Sequence, residues 1–210
     1  MTTDGHSIWL CDAHALCAPG AEDEALSMLY DCGLHERAEL SLRYKRDSVR
    51  HLSLAAGLAL AAALDAYGMP DKDHPRLSFS QGEYGKPYLT DYPHIHFNLS
   101  HSGHYGACAV ADTELGLDIQ DVRSCDMALA ERFFHEAEAK ALRSATASGD
   151  TAADILFTRI WTRKEAYLKL RGTGLSEDTS TFSVLDGALP GILLQEAETD
   201  SHLLCLATYI

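Results

Sequence analysis

Four side chains carry the most chemistry in this chain: Asp118, Gln120, Glu165 and Lys169. Asp118 and Gln120 are two apart in LGLDIQDV (115–122), a run that alternates as a strand does, so both share one face. Trp161, Glu165 and Lys169 recur at steps of four in WTRKEAYLKLRGTGL (161–175), which lines indole, carboxylate and ammonium along one helical face. Two carboxylates and an amide oxygen suit a hard divalent cation, whose remaining positions phosphate oxygens and water complete. A lysine one turn further on supplies fixed positive charge to the same phosphate. Taken singly, Asp118 reads equally as a solvated strand residue, and Glu165 with Lys169 as an ordinary surface i,i+4 pair.

Other candidates stand upstream. Tyr84-Gly85-Lys86-Pro87 sets a lysine on a rigid turn, a point-charge partner for a phosphate or a merely solvated side chain. FNLSHS (97–102) gathers an amide, two hydroxyls and an imidazole where a strand is expected to end. A Ser-His-Asp hydrolase is a poor match, because there is no G-x-S-x-G elbow and His101 adjoins both serines. His94 and His96 read as exposed strand residues without a third ligand.

The elements that must position these groups follow from periodicity. Strands are predicted at 6–11, 95–99, 105–111 and 115–122, with Ser100–His104 as a turn, and further strands at 181–185 and 203–209. Helices are predicted at 21–30, 49–67, 128–144 and 155–171, the last closed by Gly172. Residues 71–94 form a turn-rich connector, and 186–202 fits no element. A basic segment, Arg37 to Arg50, leads into the second helix.

The bulk numbers bound the rest. The 210 residues are 46% hydrophobic and 23% charged, an ordinary globular composition with room for one large domain or two halves. A net charge of −14 argues against a nucleic-acid binder. No signal peptide is evident at the start, and the apolar run Leu52–Leu64 is short for a membrane span. Six cysteines without a CxxC pair give no zinc signature, so a reducing cytoplasm is the expected compartment.

The order of the motifs is more specific than any one of them. EYGKPYL (83–89), FNLSHSG (97–103), GLDIQ (116–120), RFFHEAE (132–138) and WTRKEAYLKLRGTGL (161–175) occur in series. The series, spanning about residues 37–185, closely resembles the 4′-phosphopantetheinyl transferases of the Sfp type. The resemblance implies an α+β fold of two similar halves related by pseudo-twofold symmetry, taken as residues 1–104 and 105–210, with coenzyme A between them. It also implies transfer of the 4′-phosphopantetheine arm of coenzyme A to a serine of an apo acyl or peptidyl carrier protein, releasing 3′,5′-ADP. By the same resemblance, Asp118, Gln120 and Glu165 hold Mg2+, with Mn2+ as an alternative, and Glu165 serves as base. Lys169 steadies the pyrophosphate, Lys86 faces the nucleotide, and Ser100 and His101 contact phosphates. Arg43, Arg46, Arg50 and His51 fall in the segment near the 3′-phosphate, with Arg43 and Arg50 carried forward as ligands. A cytoplasmic monomer, independent of nucleic acid and membrane, is expected.

Two departures stand out. Gln120 occupies a position that is glutamate in the best-known members, and Glu36 and Glu39 sit where lysines are frequent. The competing readings are a non-catalytic coenzyme A binder on the same fold, which would be expected to lose Asp118, Glu165 or Lys169, and a metal-dependent phosphohydrolase that needs no carrier.

Overall fold

A computed structural model of the chain describes residues 2–3, 6–69, 76–147, 149–199 and 201–210, with side chains at all of these except 2, 3, 6 and 175. Six α-helices and three small sheets lie among the described residues, an α+β arrangement. The chain divides into two compact units, Met1–Leu115 and Gly116–Ile210. The expected junction at 104/105 falls inside the first unit. The strand that follows it, residues 105–111, is hydrogen-bonded on both sides within the first sheet, which holds it there.

In the first unit, β1 (Thr2–Thr3), β2 (His6–Asp12), β5 (His96–Ser102) and β6 (Tyr105–Ala111) form one sheet in the order β1-β2-β6-β5. β3 (Phe79–Gln81) and β4 (Pro87–Leu89) make a separate hairpin within the expected connector, whose residues 71–75 lie outside the described residues. Three helices complete the unit: α1 (Ala21–Asp31), α2 (His35–Leu42) and α3 (Asp47–Ala66). By length and composition α3 could cross a membrane, but 56% of its apolar 18-residue window is buried inside the protein. Its Leu54, Ala55, Leu60 and Leu64 join Leu29, Phe97, Cys108 and Val110 in the core. The leucine, valine and phenylalanine side chains among them contribute about 1.5–3 kcal/mol each when fully buried. A β-carbon at Gly106 of β6 would overlap the α3 backbone at Ala55 and Ala56, so that glycine lets helix and strand touch directly.

β5 runs further than its composition suggests. Ser100, His101 and Ser102 pair with Ala107, Gly106 and Tyr105, leaving only Gly103 (φ 57°) and His104 as the turn.

The second unit contains β7 (Leu115–Asp121), which begins at the unit boundary, with β8 (Ile192–Thr199) and β9 (His202–Tyr209) in the order β7-β9-β8, and the helices α4 (Met127–Phe133), α5 (Glu136–Thr146) and α6 (Asp150–Arg171). The single helix predicted over 128–144 is broken at Phe134-His135. The His135 side chain caps α5, and Glu138 reaches back to the His135 backbone. The strand predicted at 181–185 is instead a 3-10 turn (Thr179–Thr181) and irregular chain, and part of the unplaced stretch forms β8. α6 ends in a Schellman motif at Gly172 (φ 65°), with Thr173 N–H bonded to Leu168 O and Gly172 N–H to Lys169 O.

Candidate functional site

The second unit brings Asp118, Gln120, Glu165 and Lys169 together because of one glycine. A β-carbon at Gly116 would overlap Ala166 O and Leu170 N, so the backbone of α6 lies directly on β7. Lys169 therefore reaches Asp118. Its Nζ donates to Asp118 Oδ1 at 2.7 Å and to Leu117 O at 3.1 Å. Asp118, a candidate for a solvated residue on sequence grounds, is 2% exposed. Gln120 donates its amide N–H to Asp118 Oδ2 at 2.8 Å, as two residues on one strand face should.

Glu165 stands close enough to this pair to feel the charge of both Asp118 and Lys169. Burial raises its pKa above the ordinary carboxylate range, and the negative charge of Asp118 pushes the same way. Lys169 and Arg123 offset part of the effect. Two carboxylates set against each other in a half-buried place fit a divalent cation, whose charge would relieve both burial and repulsion. Asp118 already has a donor on each oxygen, so a cation would compete with Lys169 or Gln120 for it.

Glu165 also lines a pocket of about 190 Å³ with Phe133, Trp161, Leu168, Asp178 and Thr179. Trp161 packs edge-on against Phe133 and tilted against Phe134, with the Arg123 guanidinium 5.2 Å from its ring centre. The wall formed by Asp178 and Thr179 is tied down from beneath. Lys164, 2% exposed, donates to Thr179 O and Phe182 O at 2.7 Å each and pairs with the fully buried Glu138 at 2.9 Å. Glu138 in turn accepts from Val184 N–H. Burial lowers the Lys164 pKa, and Glu138 opposes that shift. The sequence motifs RFFHEAE and WTRKEAYLKLRGTGL thus meet through the last glutamate of one and a lysine of the other. No periodicity in either run foretold that contact.

In the first unit, Lys86 is partly buried and bonded to Glu114 at 2.5 Å and to Leu115 O at 3.0 Å; His96 lies 3.2 Å from the same carboxylate. Ser100 and His101, adjacent on β5, face opposite sides: Ser100 is buried and His101 exposed. Arg50 donates to both oxygens of Glu22, to Asp47 and to Tyr44 O. Arg43, at the end of α2, is exposed and lines a pocket of about 630 Å³ with Arg37, Gly85, Phe79, Phe97 and Leu99, and Glu36 and Glu39 join it. Arg37 has its Nε buried without a hydrogen-bond partner among the described residues. Sequence reasoning had Arg37 only as one of a basic run; its place in this pocket depends on the β3–β4 hairpin folding near α2.

The profile of the 4′-phosphopantetheinyl transferase superfamily matches residues 114–207. A 4′-phosphopantetheinyl transferase of Bacillus subtilis is 35% identical over 150 residues, which cover 71% of this chain and 64% of that protein. The 4′-phosphopantetheinyl transferase Sfp of Bacillus subtilis strain 168 is 32% identical, again over 71% of this chain and 64% of the relative. The 4′-phosphopantetheinyl transferase ffp of Bacillus subtilis is 31% identical over 166 residues, 79% of this chain and 71% of the relative. The chain thus spans a little under two thirds of the length of the first two relatives.

Proposed function

Because the chain belongs to the 4′-phosphopantetheinyl transferase superfamily, we propose that it moves the phosphopantetheine arm of coenzyme A onto a serine of an apo acyl or peptidyl carrier protein. The observation that carries this reading is the Lys169–Asp118 contact beside a Glu165 whose charge is penalised.

Asp118 and Glu165 would hold Mg2+, or Mn2+ in its place. Gln120 joins them only if its amide turns over, since its nitrogen now faces Asp118. Bound there, the cation would offset charge on the pyrophosphate leaving group. Lys169 donates to a phosphate oxygen while its last helical turn is fixed by the Schellman end of α6. Glu165 accepts the proton of the carrier serine, whose oxygen forms a bond to the β-phosphorus of coenzyme A. The bond from that phosphorus to 3′,5′-ADP breaks, and no covalent enzyme intermediate is needed. The raised pKa of Glu165 makes its ionised form a stronger base than an ordinary carboxylate. The apolar wall of Phe133, Trp161 and Leu168 suits the pantetheine arm.

We assign the nucleotide end of coenzyme A to the first unit, with Lys86, Ser100, His101 and Arg43 as its ligands and Arg37 added to them. Arg50 contributes only if it leaves Glu22. The rest of the reading is a monomer that requires neither nucleic acid nor membrane, in a reducing cytoplasm where the six free cysteines would stay reduced.

The test is chromatographic release of 3′,5′-ADP from coenzyme A in the presence of Mg2+. Release is expected only when an apo carrier is present. Equal release without any carrier would mean a phosphohydrolase, and binding of coenzyme A without release would mean a silent binder.

A further inference from the structure

A cluster in the first unit centres on Glu22, the carboxylate that also holds Arg50. Cys17 closes the short 3-10 turn Ala13–Cys17, which is anchored by the buried Ala13 and Leu16. Its exposed Sγ is 3.7 Å from Nδ1 of His51 on α3. The other ring nitrogen, Nε2, is 3.0 Å from Oε2 of Glu22 in the first turn of α1. The imidazole side chain is only 12% exposed, so the sulfur sits at the surface over a covered ring. We propose that Cys17, His51 and Glu22 form a thiol-activating relay and that Cys17 is a modification site for low-molecular-weight disulfides.

The carboxylate fixes the tautomer. Hydrogen bonds from Arg50 first, and from His51 after it, hold Glu22 below the ordinary carboxylate range, so it accepts hydrogen bonds and cannot donate them. Nε2 must therefore carry the ring proton, which leaves the Nδ1 lone pair facing the thiol. His51 takes the proton of Cys17. The thiolate attacks one sulfur of R–S–S–R, a Cys17–S–S–R bond forms, and the R–S⁻ that leaves takes up the proton as R–SH. The disulfide supplies all the oxidising equivalents.

Selectivity follows from the other five thiols. Cys108 and Cys205 are buried, and burial pushes both far up. Cys11, Cys32 and Cys125 are partly covered, and burial raises each of them too. Cys17 is the one exposed cysteine of the six.

The full chain is incubated with glutathione disulfide, then analysed by intact mass and peptide mapping. One adduct on Cys17, removed by dithiothreitol and absent from Cys17→Ser, is expected. Reaction rates with 5,5′-dithiobis(2-nitrobenzoate) at pH 7 are compared for the parent, His51→Gln and Glu22→Gln, each checked for native circular dichroism. Loss of the relay should slow the Cys17 phase about tenfold in His51→Gln, since no ring nitrogen is left beside the sulfur to take its proton. Glu22→Gln, which keeps the ring but not its acceptor-only partner, should slow it as well. An adduct mapping to another cysteine, no adduct at all, or native variants that react as fast as the parent would overturn the proposal. Neither readout involves coenzyme A or a carrier, so the result is independent of the proposed transferase activity.

Discussion

Glu165 is asked to act as a base in a place that disfavours its charge, and this tension is testable at the level of one residue. Its folded-state pKa is raised by burial and by Asp118, so its ionised form costs stability. That cost is absent at acid pH, where the group is neutral in both folded and unfolded chains. It grows as pH rises from the ordinary carboxylate range through the raised value. Glu165→Gln is therefore expected to gain stability over the parent as pH goes from 5 to 8, measured by chemical denaturation, while transfer falls by about 10²–10⁴-fold. A variant less stable than the parent at pH 8 would show that Glu165 is not under this strain. Asp118, Glu165 and Lys169 were legible as a group because strand and helix periods fix which residues share a face. The partners of Arg50 and Lys86 were not. Glu22 lies 28 positions from Arg50 and Glu114 lies 28 from Lys86, distances that only the fold closes.

At the scale of elements, the site depends on the close approach of α6 to β7. Gly116→Ala sets a methyl group against backbone atoms of Ala166 and Leu170, which cannot move as a flexible side chain would. Overpacking of this kind costs about 1–3 kcal/mol. The expected outcome is a lower denaturation midpoint, and a fall in transfer even where the variant remains folded, because Lys169 is carried away from Asp118. Unchanged stability would contradict the direct contact of helix and strand. The sequence pattern located most long elements to within a few residues, including α1, α3, β6, β7 and β9. It missed the break at His135 because Leu129, Phe133, Ala137 and Ala141 keep a four-residue step across it, whereas the capping box with Glu138 decides the local backbone. It missed β8 because alternation in ILLQEAET is weak, and pairing with β9 supplies the order.

At the scale of the whole molecule, the charge of −14 bears on the partner. An acidic carrier would be repelled at long range, and salt shortens that reach to about 8 Å at physiological ionic strength. Raising ionic strength from low to physiological values is expected to lower the KM for an acidic apo carrier while leaving kcat little changed. A KM that rises with salt would instead point to local basic contacts dominating the encounter. The central claim, transfer of a phosphopantetheine arm with Glu165 as base, is tested most directly by intact-mass analysis of an apo carrier protein incubated with this chain, coenzyme A and Mg2+, with Glu165→Ala run in parallel. The predicted result is a gain of one phosphopantetheine arm on the carrier, absent with the variant. An unmodified carrier, or equal modification by Glu165→Ala, would contradict it.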